Sequence, residues 1–332
     1  MTPTLKSGDV LHGRYQVKER IGQGGAGSIY LADDLRLEGR LCALKEVEYD
    51  RSLPEESREE ARQQFLREAT ILARLDHPNL PKVSDFFSSG PRDYLVMDYV
   101  PGADLRTLML EARHKKIFLP EAQVLGWAHQ LADALAYMHG QQPGIVHRDI
   151  KPSNLKVTPT GLLKLVDFGL VKIMIPNEEV TITVIQGQGT ALYTPIEQYG
   201  SDETHTDARS DIYAFGATLY HMLTNEPPAD ARKRFIDPSS LAPPRKINPS
   251  IRARTEKAIL WAMALHPDDR PPSVEALNAF LFEGGDITAR PWQPQSAFDI
   301  PRLDVFVVRT DAFLAWTAAG LLLLSLIATL IH

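Results

Sequence analysis

Between His147 and Asn154 the chain reads His-Arg-Asp-Ile-Lys-Pro-Ser-Asn. Three side chains of different chemistry sit there at fixed offsets: the carboxylate of Asp149, the amine of Lys151 and the amide of Asn154. Together they suit phosphoryl transfer. An acid can take the proton of an attacking hydroxyl, a cation can offset the charge of the migrating phosphate, and an amide oxygen can ligate a hard divalent ion. Downstream, Asp167-Phe168-Gly169 adds a second carboxylate. Upstream, Gly22-Gln23-Gly24-Gly25-Ala26-Gly27 is a G-x-G-x-x-G loop, whose missing side chains let backbone N–H groups approach phosphates. Lys45 closes the apolar run Cys42-Ala43-Leu44, where a strand-end amine can reach into a cleft.

The glycine loop alone is ambiguous, because dinucleotide-binding folds carry it too. Those folds need a helix straight after the third glycine. Here Ser28-Ile29-Tyr30-Leu31-Ala32 reads as a second strand, so the loop caps a hairpin.

The elements that must position these residues change character along the chain. Asp9 to Tyr49 reads as strands and tight turns. Pro54 to Leu75 reads as a helix with an apolar stripe at Ala61, Phe65, Leu66, Ala69, Leu72 and Leu75, ended by Asp76-His77-Pro78-Asn79. Strands are expected at Val83 to Phe87 and Tyr94 to Tyr99. Beyond Gly102 the pattern is helical, at Glu121 to His139, Asp211 to Leu223, Arg254 to Leu265 and Ser273 to Leu281. The proline-rich stretch Pro227 to Pro249 reads as an ordered surface loop. Strands first and helices after imply an α+β architecture of two lobes with a cleft between them.

With 332 residues, 44% of them apolar, the chain can bury a large core and still carry an appendage. A formal charge of -6 offers no broad basic face, so nucleic acid is not an expected partner. The single cysteine, Cys42, excludes an intramolecular disulfide and reads as a small buried hydrophobe. The first 13 residues are polar and lack a signal-peptide core. Residues 284–311, with Gly284-Gly285, Pro291, Pro294 and Pro301, read as a linker. Residues 312–331 are uncharged and free of proline, and about 20 such residues are enough to cross a hydrocarbon core as a helix. Arg302 and Arg309 precede them, which favours a single-pass helix with the bulk of the chain on the cytoplasmic side.

The ordered set of glycine loop, strand lysine, His-Arg-Asp loop and Asp-Phe-Gly resembles the eukaryotic-type serine/threonine protein kinases, in a bacterial form. The resemblance implies a bilobal kinase domain over residues 15–283, after an N-terminal segment 1–14. Its β-rich lobe would span 15–100 and its helical lobe 101–283. It implies ATP and magnesium, with manganese as a substitute, and serine or threonine hydroxyls of proteins as substrates. Asp149 would be the catalytic base and Lys151 would steady the phosphate. Asn154 and Asp167 would hold the metal. Lys45, paired with Glu68 on the following helix, would grip the α- and β-phosphates. Ile21, Gly22, Gly24, Gly25, Gly27 and Ile29 would cover the nucleotide. Ala43, Met97 and the backbone of Asp98 and Val100 would enclose adenine, with Asp104 near the ribose.

The same resemblance makes the stretch from Leu170 to Glu197 an activation loop. Thr181 and Thr183 stand at its tip as candidates for autophosphorylation in trans through a transient homodimer, with Arg148 available to a phosphate. Their alternative reading is as plain strand formers. Thr190 resembles the threonine that contacts the catalytic lysine and aspartate. Glu197 and Arg270 would form a buried ion pair, and Asp211 would brace the catalytic loop. The family ends this loop in Ala-Pro-Glu, whereas Pro195-Ile196-Glu197 displaces the proline by one residue. A membrane-bound scaffold with weak catalysis is the alternative function.

Overall fold

The computed structural model describes residues 5–24, 27–47, 49, 54–167, 172–173, 191–199 and 206–282, all within one compact unit spanning Met1–Trp292. Strands come first. β1 (Val10–Leu11), β2 (Tyr15–Gly24), β3 (Gly27–Asp34) and β4 (Leu41–Val47) precede helix α1 (Glu55–Leu72), and β5 (Val83–Ser89) and β6 (Arg92–Asp98) follow it. They form a six-stranded antiparallel sheet in the order β1-β2-β3-β4-β6-β5.

The two-residue period of a strand sorts the side chains of this sheet. On β4, Cys42 and Leu44 join Tyr15, Tyr30, Phe87, Tyr94 and Val96 in one apolar cluster. Ala43 goes to the other face and into a second cluster with Leu95 and Met97. Lys45 shares the parity of Ala43 and pairs across strands with Ile29 and Leu95. Its amine therefore leaves the sheet on the face that looks toward the helical lobe.

That lobe contains β7 (Ala103–Asp104), α2 (Leu105–His114), α3 (Glu121–His139), β8 (Ile145–Val146), β9 (Leu155–Val157), β10 (Leu163–Leu165), β11 (Lys172–Ile173), α4 (Ala208–Thr224), α5 (Ala231–Ile236), α6 (Pro244–Ile247), α7 (Ala253–Ala262) and α8 (Val274–Phe282). Two small antiparallel sheets, β10-β9-β7 and β11-β8, frame the catalytic stretch. The cluster that begins at Ala43 and Met97 continues through Leu105, Met109, Leu131, Leu135, Ile150, Leu155 and Leu165 to Phe215 and Ile259, so one core runs under both lobes. Helix α4 is buried on almost every side, as a central helix must be when apolar residues surround it. Gly216 allows this: a Cβ there would lie 2.7 Å from the Cβ of Ala262 on α7.

Two expectations need correction. Residues 227–249 are not simply a loop, since α5 and α6 lie within them. Arg234 donates to the Tyr213 hydroxyl at 3.0 Å and Asn248 to the Leu223 carbonyl at 2.8 Å, both from buried positions. Helix α1 stops at Leu72 rather than Leu75, and its last bonds tighten, with Arg74 N donating to Ile71 O and Leu75 N to Leu72 O. The expected linker and transmembrane run lie outside the described residues. Among the described residues no helix is long and apolar enough to cross a membrane.

Candidate active site

The floor of the cleft is built outward from Asp211 in the first turn of α4. This carboxylate is fully buried. Its Oδ2 accepts from the His147 N–H and its Oδ1 from the Arg148 N–H, both at 2.8 Å, while His139 Nε2 lies 2.9 Å from Oδ2. Turning two successive N–H groups onto one carboxylate bends the chain, and Arg148 takes φ 66°. Burial works to raise the Asp211 carboxyl, but His139, His147 and the donated N–H outweigh it and hold it below the usual carboxylate range. Burial also pushes the His147 imidazole below its ordinary value.

The bend presents the next residues to the cleft. Lys151 Nζ lies 2.9 and 2.8 Å from the two oxygens of Asp149. Asn154 Nδ2 donates to the Asp149 carbonyl and to its Oδ2, both at 2.9 Å. Both amide protons of Asn154 are thus spent on Asp149, which leaves Asn154 Oδ1 as an oxygen face suited to a hard cation. Val166 N donates to Asn154 O at 2.8 Å, which fastens the approach to Asp167 onto the same loop.

Asp167 adopts φ 69° and forms an ion pair with Lys45 from the sheet above. Burial works against its charge, yet Lys45, His147 and Lys151 outweigh that and keep the carboxyl below the ordinary value. The cleft therefore holds two carboxylates, two amines and one amide oxygen. With Asn154 Oδ1 and the ionised Asp167 as hard oxygen donors, the set fits a magnesium–triphosphate ligand.

The structure does not bring Glu68 to Lys45. Glu68 Oε1 instead accepts from Gln64 Nε2 at 2.9 Å, on the same helix. Burial pushes the Glu68 carboxyl up, against the pull of Gln64, Arg148 and Arg67. In place of Glu68, the Lys45 amine pairs with Asp167.

The roof is the β2–β3 hairpin, where Gly24 pairs with Gly27 and Gly22 with Ile29. Gly27 has φ 141°, and a Cβ there would lie 2.1 Å from the Glu46 carbonyl, so only glycine lets the hairpin close on β4. Ile29 packs on the shared core, whereas Ile21 is exposed. Ala43 and Met97 oppose each other across β4 and β6 and are both buried, and Val100 is also buried. Asp98 is only partly available to a base: its N–H donates to Lys82 O at 2.9 Å and its carboxylate accepts from Lys82 N at 3.2 Å. Asp104 caps α2, accepting from Thr107 N at 2.8 Å.

Behind the cleft, Arg270 holds Glu197 through two bonds of 2.6 and 2.9 Å and also donates to the carbonyls of Ala264, Leu265 and Arg209. The pair forms despite the displaced proline. Gly25, Phe168, Gly169, Thr181, Thr183 and Thr190 lie outside the described residues.

Sequence reading missed two positions that matter. His139 braces Asp211 from the last turn of α3. Asn79 donates to Gln130 Oε1 and to Leu163 O, and accepts from Leu165 N, so it ties the strand leading to Asp167 onto α3. Helix α2 was readable from Asp104 followed by Leu105, Met109 and Ala112 at helical spacing.

Comparison with known proteins agrees with this geometry. The protein kinase domain family model matches residues 15–279. A probable serine/threonine-protein kinase of Clostridium acetobutylicum is 35% identical over 270 residues, covering 79% of this chain and 38% of its own. The serine/threonine-protein kinase PknB of Mycobacterium leprae is 34% identical over 286 residues, covering 82% and 43%. The chain thus spans about two fifths of the length of these relatives. A protein named tyrosine-protein kinase MasK, of Myxococcus xanthus, is 31% identical over 288 residues, covering 82% of this chain and 44% of its own. The crystal structure of the Mycobacterium tuberculosis PknI kinase domain superposes with a TM-score of 0.64 at 29% identity, over 85% of this chain and 100% of that one. The cleft, its interlocked acid, lysine and amide, and the matched span agree: the chain belongs to the protein kinase domain family.

Proposed function

We propose that this protein transfers the γ-phosphate of ATP to serine and threonine hydroxyls of proteins, with magnesium, or manganese in its place. The observation that carries the reading is the cluster in which Asp149, Lys151 and Asn154 interlock at 2.8–2.9 Å beside the Lys45–Asp167 pair. Asp149 orients the incoming hydroxyl and receives its proton. Lys151, now on Asp149, is within reach of charge that develops on the migrating phosphate. Asn154 and Asp167 would hold the metal, which when bound neutralises the phosphate oxygens. Lys45 draws the α- and β-phosphates toward the sheet. In this family a lysine two residues after the catalytic aspartate accompanies serine/threonine specificity, which supports that choice over tyrosine.

Residues 312–331 tether this domain to a membrane as a single helix with the kinase on the cytoplasmic face, and linker 284–311 gives it reach. Confinement to a plane raises the local concentration of like molecules. It thereby favours a transient homodimer and phosphorylation in trans at Thr181 or Thr183.

The test is incubation of the purified full chain with magnesium and ATP, followed by phosphosite mapping. Phosphoserine and phosphothreonine are expected, and Asp149→Asn should lower the rate by about 10²- to 10⁴-fold, the usual worth of a positioned base. Equal labelling by both proteins, or labelling confined to tyrosine, would overturn the reading.

A further inference from the structure

Helix α2 and the turn after it gather exposed cations and exposed apolar side chains on one surface. Between Arg106 and Lys116 the chain places Arg106, Arg113, Lys115 and Lys116 against a single carboxylate, Glu111, in a protein of formal charge -6. Arg106, Leu110 and Arg113 stand at i, i+4 and i+7 on α2, so they share one face. That face is turned to solvent: both arginines are exposed, and Leu110 is 48% exposed. Just past the helix end, Ile117 and Phe118 are 54% and 39% exposed. Among the described residues, none of these arginines and lysines forms an ion pair. An exposed apolar row flanked by unneutralised charge of one sign marks an interaction surface.

The row leads into a cavity. At the C-terminal end of α2 a hollow of about 350 Å³ is lined by Arg113, Lys116, Ile117, Phe118 and, from the end of α4, Asn225 and Glu226. Glu226 is the one carboxylate in that lining. The backbone around it is pinned. Lys116 N donates to Arg113 O and Ile117 N to Ala112 O, both at 3.0 Å. Asn225, the left-handed C-cap of α4, donates from Nδ2 to Ile117 O at 2.9 Å. The turn that exposes Ile117 and Phe118 is thus tied to both helices. Arg106 and Arg113 act on the His221 imidazole, and Arg106 on the Tyr193 hydroxyl, so the charged row borders α4 along its length.

Along the helix axis Arg106, Leu110 and Arg113 are spaced about 6 and 4.5 Å apart. An extended peptide presents every second side chain on one side, about 6.6–6.8 Å apart. Acidic, apolar and acidic side chains at alternate positions therefore meet the three in order, and a further apolar one reaches the cavity. We propose that this face of α2, with the cavity at its end, is a docking site for an extended segment of a protein partner in which acidic and apolar residues alternate. Burial of Leu110, Ile117 and Phe118 supplies affinity, and the arginines set register and speed encounter. The consequence for catalysis rests on the kinase reading: a partner held on α2, which starts at Asp104 on the rim of the cleft, presents its hydroxyls at raised local concentration.

The experiment uses the full chain. The probe is a fluorescent pool of peptides of the pattern Glu-x-Leu-x-Glu-x-Phe and its reverse, with spacers free of serine, threonine and tyrosine. A second pool carries lysine in place of glutamate. Anisotropy should show the acidic pool binding at least about tenfold tighter than the lysine pool, and magnesium–ATP should not displace it. Arg113→Ala should weaken binding about two- to fivefold, the usual worth of one exposed ion pair, and Arg113→Glu should weaken it further. Arg106→Glu carries the test if Arg113→Glu fails to fold. A serine/threonine peptide mixture joined to the acidic pattern should show a lower KM than the bare mixture. Arg113→Glu should remove that gain and leave kcat/KM for the bare mixture unchanged. Equal binding of the two pools, or full binding by a folded Arg113→Glu protein, overturns the proposal. So does binding of phosphatidylserine vesicles through the same arginines with no peptide binding. Peptide binding with no phosphotransfer in any variant leaves the docking site standing and removes the kinase reading.

Discussion

The two walls of the cleft are built differently. The floor is over-determined: Asp211 takes two backbone N–H groups and a histidine, Glu197 takes a bidentate arginine, and Asp149 is held by both Lys151 and Asn154. In the roof, Lys45 reaches down to Asp167, and Glu68 turns back on its own helix. A buried polar network with every partner present can hold one geometry. The floor thus braces each carboxylate with several partners, whereas the Lys45–Asp167 pair and the Glu68–Gln64 contact stand apart from that network.

If that contrast is right, cutting the floor should cost stability first. Arg270→Ala strands the buried Glu197 carboxylate and removes three carbonyl contacts as well. Breaking a buried pair by removing one partner costs about 3–5 kcal/mol. The expected result is a large fall in Tm by calorimetry, with activity lost in proportion to folded protein. A variant that keeps its Tm and loses only activity would break the comparison.

The floor should also carry the acid sensitivity. His221 Nδ1 on α4 lies 2.6 Å from the Tyr193 hydroxyl, and burial, with Arg113 and Arg106 nearby, lowers its pKa from 6.5 to about 4. A histidine depressed in the folded state takes up its proton first in the unfolded chain. Its contribution is therefore complete above pH 6.5 and lost as pH falls from 6.5 toward 4. His221→Gln keeps an acceptor but cannot titrate. Denaturant unfolding across that window should show wild type losing about 1–3 kcal/mol more than the variant. Parallel curves would remove His221 from the account.

The roof should respond in the opposite sense. Burial raises the pKa of the half-buried Glu68 carboxylate, so its charge opposes folding at neutral pH. Glu68→Gln should raise stability by roughly 1 kcal/mol while lowering phosphotransfer. The gain should shrink on acidification, because the wild-type carboxyl then binds a proton more readily folded than unfolded. Lower stability with lower activity would mean that Glu68 belongs with the floor.

The same division explains what the sequence could disclose. Floor residues carry fixed chemical identities at short spacings, so Asp149, Lys151, Asn154 and Asp167 could be read as one set, and α3 emerged with the bounds the apolar stripe implies. Long-range partners left less trace. Nothing local marks His139 as the brace of Asp211, 72 positions away, or Asn79 as the clamp on Leu163. The Lys45–Glu68 pairing failed for a different reason. Residue types fix which partners are allowed, but Gln64 and Arg67 are ordinary helix residues until their amide and guanidinium are seen oriented. The short helices α5 and α6 were hidden by the prolines that start them or flank them.

Asp104 lies where the two walls join, and it offers the smallest and most discriminating test. Its side chain accepts from Thr107 N, which makes it the N-cap of α2, while its charge also acts on the partly buried Lys156. The expected ribose contact would use the remaining oxygen. Asp104→Ala removes the cap and should cost about 1 kcal/mol in unfolding free energy. Asp104→Asn caps nearly as well, so its stability should stay within about 0.5 kcal/mol of wild type. The two variants then separate the roles by ATP affinity. If Asp104 only caps, Asp104→Asn binds ATP as wild type does. If its charge also meets the sugar, affinity falls in both variants while stability falls in one.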